Sequence, residues 1–274
     1  MKIWIQILVG LCCLSFLVGC STRTQPVDTT IPEESSMLSK DKSYSILFIG
    51  NSYTFYNDMP TIYFANMAKA CGYDVKVTAI TKGAHTLEKF ADPSDVYGKM
   101  VETALSVPDT YDFVILQEQS MRPAIDTADK FYEALRNLVP RIRKVGAQPV
   151  LYATWGRQIG NDKLTEYDMT NESMTYKLAN AYAAIGKELD VPVMHVGLAF
   201  YDVYTNSNID LYNADGSHPS ATGSYLAAMT LFCGIFGEDP TEAPFSGSAT
   251  AEEDVILRAA AKTVLYETPT LPME

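Results

Sequence analysis

The sequence predicts an α/β fold, a three-layer α/β/α sandwich built on a five-stranded parallel sheet. Short runs that are apolar throughout, such as "FVIL" at residues 113–116, are typical of strands buried on both faces. Amphipathic stretches of ten or more residues separate these runs and are long enough for helical crossovers. With 274 residues, 47% of them hydrophobic, the chain can bury one core of this kind.

Apolar periodicity and helix caps assign the elements in chain order. The strands are predicted at residues 46–49, 74–80, 113–117, 149–154 and 192–196. The helices are predicted at residues 58–71, 95–105, 129–145, 166–189, 220–236 and 250–266. Asp58 caps the first helix, with Pro60 in its first turn and Gly72 as its stop, and Thr250 with Glu253 forms a capping box for the last. The general plan is flavodoxin-like.

The N-terminal part has a different character from this domain. Residues 1–19 read as a signal peptide, and the run Leu-Val-Gly-Cys that ends at Cys20 resembles a bacterial lipoprotein signal. That resemblance implies lipidation of Cys20 and an extracytoplasmic protein anchored to a bacterial membrane by lipid alone. A plain secretory signal or a membrane-spanning anchor is the alternative. Residues 20–43 are polar and predict a flexible tether, and residues 44–270 form the predicted domain.

The charge and the cysteine content indicate which partners and which covalent links the protein can have. The formal net charge of −12, from 21 Lys+Arg against 33 Asp+Glu, argues against nucleic acid as a partner, since phosphate binding needs a basic surface. Beyond the signal and Cys20 only Cys71 and Cys233 remain, and both lie in apolar helical patterns. We therefore expect buried free thiols rather than a disulfide, although pairing stays open.

Two junctions next to predicted elements carry the residues of a candidate catalytic site. One carries a nucleophile, and the other carries a base. Ser52 stands in a Gly-x-Ser turn directly after the first strand, where a structural turn is the simpler explanation. Asp215 lies three residues before His218, a spacing at which the carboxylate can hold Nδ1–H and leave Nε2 free as a base. His195 falls inside the fifth predicted strand and is expected to be structural.

Two further junctions offer hydrogen-bond donors. Gly83 follows the second strand and can present its N–H to an oxyanion, and His85 nearby is a candidate for substrate contact. The third strand ends on Gln117, Glu118 and Gln119, and three consecutive polar side chains at that point need partners or water.

The order of these blocks resembles the SGNH (GDSL-type) hydrolases, over residues 44–236. The resemblance implies that Ser52 is the nucleophile, that His218 is the general base and that Asp215 orients it. It also implies an oxyanion hole that includes the N–H groups of Ser52 and Gly83.

The third block departs from the family pattern, because "LQEQS" at residues 116–120 stands where Gly-x-Asn-Asp is usual. This segment resembles a less characterised bacterial lipoprotein subgroup of the family. We favour Gln119 over Gln117 as the side-chain oxyanion donor. Gln117, Trp155 and Arg157 are then expected to line the substrate cleft with His85, unless Trp155 is simply part of the core.

These features predict a serine esterase that hydrolyses O-acyl, especially acetyl, esters on carbohydrate or glycan substrates at the cell surface, with no metal and no cofactor. The alternative is a non-catalytic carbohydrate-binding surface lipoprotein that keeps the fold. A nucleotide-binding protein is disfavoured, because no Gly-rich phosphate loop follows a strand. The sequence does not indicate an oligomeric state.

Overall fold

A computed structural model of the chain describes residues 38–267. Its strands are β1 (Ser43–Gly50), β2 (Asp74–Thr81), β3 (Phe113–Leu116), β4 (Gln148–Tyr152) and β5 (Val193–Met194). They form one sheet in the order β2-β1-β3-β4-β5, and every pairing is parallel. This is the flavodoxin-like order of doubly wound folds, so the predicted fold class is confirmed.

Helices cover both faces of the sheet. They are α1 (Ser52–Phe55), α2 (Ala65–Ala70), α3 (Leu87–Ala91), α4 (Val96–Ala104), α5 (Ala128–Lys144), α6 (Asp162–Glu166), α7 (Asn171–Leu189), α8 (Val196–Asn206), α9 (Ala221–Phe236) and α10 (Ala251–Tyr266). Short 3-10 turns occupy Tyr56–Asp58 and Arg122–Ala124, and a π-helical turn occupies Met59–Phe64.

Strand β1 contributes side chains to the hydrophobic cores on both faces of the sheet. Ile46 and Phe48 pack into the core on the side of α9 and α10, whereas Leu47 and Ile49 pack into the core on the side of α4 and α5. All four side chains are fully buried, as the alternation of side chains along a strand covered on both faces requires.

The first predicted helix, residues 58–71, is wrong in its first half. Asn57 (φ 54°) and Asp58 (φ 51°) both adopt left-handed backbone conformations, and the Asp58 side chain caps no helix N–H. The chain instead passes through the 3-10 and π-helical turns before α2 begins. The predicted stop is confirmed, since Gly72 has φ 87° directly after the helix ends.

Two more assignments need correction. The helix predicted over 166–189 begins later, as α7 at Asn171, because Asp168 has a left-handed backbone (φ 50°) and Thr170 caps α7 with a capping box to Ser173; the short helix α6 ends at Glu166. The fifth strand is only two residues long, and His195 stands at the N-cap of α8, a helix that the sequence pattern did not reveal. Helix α3 was also missed. The capping box of Thr250 and Glu253 is present as predicted.

The two domain cysteines are buried and free, as expected. The predicted signal peptide, Cys20 and most of the tether lie outside the described residues, and so do residues 268–270 at the end of the predicted domain. Within residues 38–267, no helix is long and apolar enough to cross a membrane. In the same range, no group of three or more His, Cys, Asp or Glu side chains is arranged to hold a metal ion.

Candidate active site

The turn after β1 is shaped by a close approach of backbone and side chains. A side chain at Gly50 would collide with the Thr54 hydroxyl and the Gln117 amide. Glycine is therefore required at position 50 for space. Asn51 is extended (φ −122°, ψ −152°), and Ser52 then begins the four-residue helix α1.

Ser52, His218 and Asp215 form one chain of hydrogen bonds. Ser52 Oγ lies 2.8 Å from His218 Nε2, and His218 Nδ1 lies 2.5 Å from Asp215 Oδ2. The serine and the histidine are 166 positions apart in sequence, so the fold alone brings them together. A hydroxyl on one imidazole nitrogen and a carboxylate on the other is the arrangement that activates a serine nucleophile.

The surroundings of Asp215 keep it ionised. Burial raises its pKa, but the hydrogen bonds from the His218 ring and from the backbone N–H groups of His218 and Ser217 outweigh that effect and lower the pKa below its ordinary value. Both N–H groups lie 2.9 Å from Oδ1. Gly216 (φ 61°) turns the loop so that these donors face the carboxylate.

Ser217, between Asp215 and His218, fixes this loop to the body of the protein. Its hydroxyl oxygen is 2.8 Å from Tyr53 Oη and accepts from Arg157 Nη1 at 2.7 Å. Its carbonyl accepts from Trp155 Nε1 at 3.1 Å. The residue after the nucleophile and two residues after β4 therefore hold the base in register with Ser52.

Trp155 does not line an open cleft, so that prediction is wrong and the core alternative holds. The indole is fully buried between the rings of Tyr53, at 4.6 Å, and Phe200, at 3.9 Å, both nearly parallel to it. Arg157 is partly buried and also donates from Nη2 to Ser120 Oγ at 3.2 Å. It borders the site, and its contact with substrate stays a prediction.

Two backbone N–H groups are available for an oxyanion. Among the described residues, no group accepts the N–H of Ser52 or of Gly83. Gly50 of β1 pairs with Thr81 of β2 at the end of the sheet. Ser52 and Gly83 each come two residues after one member of this pair. Gly83 is exposed, and a Cβ there would meet only the tip of the Phe55 ring, at 4.0 Å, so a substrate carbonyl can approach its backbone.

Gln117 is a scaffold residue rather than a substrate contact, which corrects the prediction. It is fully buried, and its Oε1 accepts from the Asn51 N–H and from the Thr54 hydroxyl, each at 2.9 Å. Its Nε2 donates to the carbonyl of Glu118. The side-chain oxygen therefore serves the Ser52 turn, and the side-chain nitrogen serves the segment after β3.

His85 has structural contacts on both its side chain and its backbone, and its contact with substrate stays a prediction. Its ring is nearly buried, lies 4.7 Å from the Phe90 ring centroid and places Nε2 3.0 Å from Asp95 Oδ1. Its backbone carbonyl accepts from Asn51 Nδ2 at 3.1 Å. His85 thus joins the Gly83 loop to the Ser52 turn by its backbone and to helix α4 by its side chain.

Gln119 uses its side-chain oxygen locally. Oε1 accepts from the N–H groups of Met121, at 2.9 Å, and Arg122, at 3.1 Å, while Nε2 lies 3.5 Å from Ser120 Oγ. The described contacts do not direct it to Ser52, so its part in the oxyanion hole stays a prediction.

The sequence did not assign roles to two buried residues beside the site. Asn51, 2% exposed, donates to His85 and accepts from the Tyr53 N–H at 3.2 Å. Glu118, 0% exposed, accepts from the N–H groups of Leu87 and Gln119, the first of them at the start of α3. Burial raises the pKa of Glu118 to about 7 against the opposing effect of these two donors.

Solved structures similar to this chain include SGNH hydrolases and esterases. No family model and no curated protein matches the sequence. A protein from Slackia heliotrinireducens, described as a candidate SGNH hydrolase, is 31% identical, with 70% of this chain and 98% of that chain aligned and a TM-score of 0.61. A DUF4886 family protein from Bacteroides uniformis is 20% identical over 84% of this chain and 97% of its own, with a TM-score of 0.70.

More distant structures share the fold. The acetyl xylan esterase AlAXEase is 15% identical, with 70% of this chain and 99% of that chain covered and a TM-score of 0.51. The acetylxylan esterase Axe2 from Geobacillus stearothermophilus is 17% identical, with 71% and 93% covered and a TM-score of 0.50.

Proposed function

The chain belongs to the SGNH hydrolase family, and we propose that it is a serine esterase that removes acyl groups, acetyl above all, from carbohydrate substrates at a bacterial cell surface. The observation that carries the proposal is the unbroken hydrogen-bond chain from Asp215 through His218 to Ser52. The partly exposed serine and histidine leave the nucleophile open to a substrate from solvent.

The geometry supports acyl transfer to water. His218 Nε2 takes the proton of Ser52 as Oγ attacks the ester carbonyl, and Asp215 stabilises the imidazolium that forms. The N–H groups of Ser52 and Gly83 would donate to the oxyanion of the tetrahedral intermediate. The imidazolium then protonates the leaving alcohol, and a water activated by His218 releases the acid from the acyl-enzyme.

The substrate class is proposed from two kinds of support. Two proteins of the same fold are named as acetylxylan esterases, so this fold accommodates deacetylation of a polysaccharide. The net charge of −12 disfavours polyanionic partners and suits a neutral glycan. Placement at the surface follows from the Leu-Val-Gly-Cys run that ends at Cys20, which would tether the domain through lipid.

Activity on 4-nitrophenyl acetate and acetate release from acetylated xylan test the proposal. We expect Ser52→Ala to lower kcat/KM by about 10³-fold or more. Ser106→Ala, at an exposed serine whose hydroxyl donates to the Thr103 carbonyl, is the matched control and should keep full activity. Full activity in Ser52→Ala would refute the proposal, and so would an inactive wild-type protein.

The proposed anchor has a separate test. Full-length protein expressed in a bacterium should fractionate with membranes and incorporate labelled fatty acid, and Cys20→Ser should abolish both. A Cys20→Ser protein that stays in the membrane fraction would favour the signal as an uncleaved spanning anchor.

A further inference from the structure

The ring of Tyr56 lies face to face with the imidazole of His218. The two ring centroids are 4.2 Å apart and the planes differ by 11°. Tyr53 meets the same imidazole at its edge, with centroids 5.7 Å apart and planes at 67°. The segment after the nucleophile therefore supplies both the serine and the aromatic surface against which the base rests.

The backbone that presents Tyr56 is strained. The next two residues, Asn57 (φ 54°, ψ 25°) and Asp58 (φ 51°, ψ 39°), both occupy the left-handed region, which non-glycine residues rarely adopt. Two such residues in succession persist only where surrounding contacts hold them, and such strain concentrates at functional sites.

Asn57 supplies those contacts. Its Nδ2 lies 3.0 Å from the carbonyl oxygens of both Pro219 and Ser220 and 2.8 Å from Ser224 Oγ. Pro219 and Ser220 directly follow His218. The side chain of Asn57 thus ties the strained turn to the loop that carries the base, and it fixes the Tyr56 ring at a defined distance from the imidazole.

We propose that Tyr56 is a positioning residue for the general base, which holds the His218 ring between Asp215 and Ser52 and stabilises its charged form during attack. The inference rests on the proposed esterase activity. The face of an aromatic ring is negative and attracts a cation within about 6 Å of its centroid. Neutral imidazole gains less from this face than imidazolium does, so the contact favours the transition state over the resting enzyme.

Three other residues near the imidazole keep their identity when only Tyr56 is replaced. Asp215 bonds Nδ1, Tyr53 meets the ring edge, and Arg157 contacts the hydroxyl of the adjacent Ser217. A change in the pH profile of a Tyr56 variant therefore reports on the stacked ring itself.

The test compares Tyr56→Leu with Tyr56→Phe, using kcat and KM for 4-nitrophenyl acetate across the pH range around neutrality. Leucine keeps an apolar cover but removes the aromatic face. We expect it to lower kcat about tenfold with KM little changed and to move the acid limb of the kcat/KM profile to lower pH. Phenylalanine keeps the face and should stay within about twofold of wild type in both.

Asn57→Gly is the second variant, because glycine adopts the left-handed backbone freely while losing the amide that fixes the turn. It should lower kcat in the same direction as Tyr56→Leu. If Tyr56→Leu and Tyr56→Phe behave alike, or if leucine leaves kcat and the acid limb at wild-type values, the inference is overturned while the esterase proposal stands. An inactive wild-type protein, or full activity in Ser52→Ala, overturns both.

Discussion

Two polar segments lie at the carboxyl end of the sheet, and the pKa values of their carboxyl groups are shifted in opposite directions. In the segment 117–120 after β3, Glu118 is fully buried, and burial raises its pKa to about 7. In the loop 215–219 before α9, Asp215 keeps a half-exposed side chain, and donors that outweigh burial lower its pKa. The first carboxyl is poised between its two forms, and the second is held as an anion.

The two segments also differ in where their hydrogen bonds go. Gln117 and Glu118 direct their side chains to backbone groups of neighbouring turns, so the segment is a scaffold. Asp215 and His218 direct theirs along a line that ends at the Ser52 hydroxyl. Polar residues near the ends of the strands are thus not equivalent. Those of the segment 117–120 hold neighbouring turns in place, whereas those of the loop 215–219 orient a reactive hydroxyl.

The largest effect should follow from the loop 215–219. Asp215→Asn keeps an oxygen for the turn but removes the negative charge beside Nδ1. We expect kcat on 4-nitrophenyl acetate to fall about 10²- to 10⁴-fold, while the thermal unfolding midpoint stays close to wild type. Wild-type turnover in Asp215→Asn would show that the charge of Asp215 has no catalytic role, and the two segments would then both be scaffolds.

The scaffold segment should respond in stability first. Gln117→Leu leaves the Asn51 N–H and the Thr54 hydroxyl buried without an acceptor, at a cost of about 1–3 kcal/mol each in the free energy of unfolding. Denaturant unfolding measures this loss, with the exposed Gln148→Leu as the matched control, expected within about 0.5 kcal/mol. A Gln117→Leu protein as stable as wild type would show that these hydrogen bonds contribute nothing.

Glu118→Gln should change how stability depends on pH. Because the folded pKa of Glu118 is raised from 4.5 to about 7, the unfolded chain ionises first, and stability is lost as pH rises from 4.5 to 7. The loss amounts to at most about 3 kcal/mol. Glutamine cannot ionise, so the variant should lack this decline, whereas the exposed Glu133→Gln should retain it. An unchanged decline in Glu118→Gln would contradict the assignment.

The sequence was informative where a pattern has one structural outcome. The apolar runs at residues 46–49 and 113–116 were correctly predicted as buried strands. The Asp215–His218 spacing and the Ser52 turn identified three side chains that the structure does bring together. Their catalytic roles remain predictions. The burial of Gln117 and Trp155 could not be predicted from the sequence, because their hydrogen-bond partners lie 66 and 62 positions away in the chain. The turn at Asn57 was missed for the same reason, since contacts to Pro219 and Ser220 hold it.

The most direct test of the central claim, that Asp215 and His218 activate Ser52, is covalent labelling by a fluorophosphonate followed by peptide mapping. The wild-type protein should carry the label on Ser52, and both Ser52→Ala and His218→Ala should lose it. A label on another serine, or undiminished labelling of the His218→Ala protein, would contradict the account.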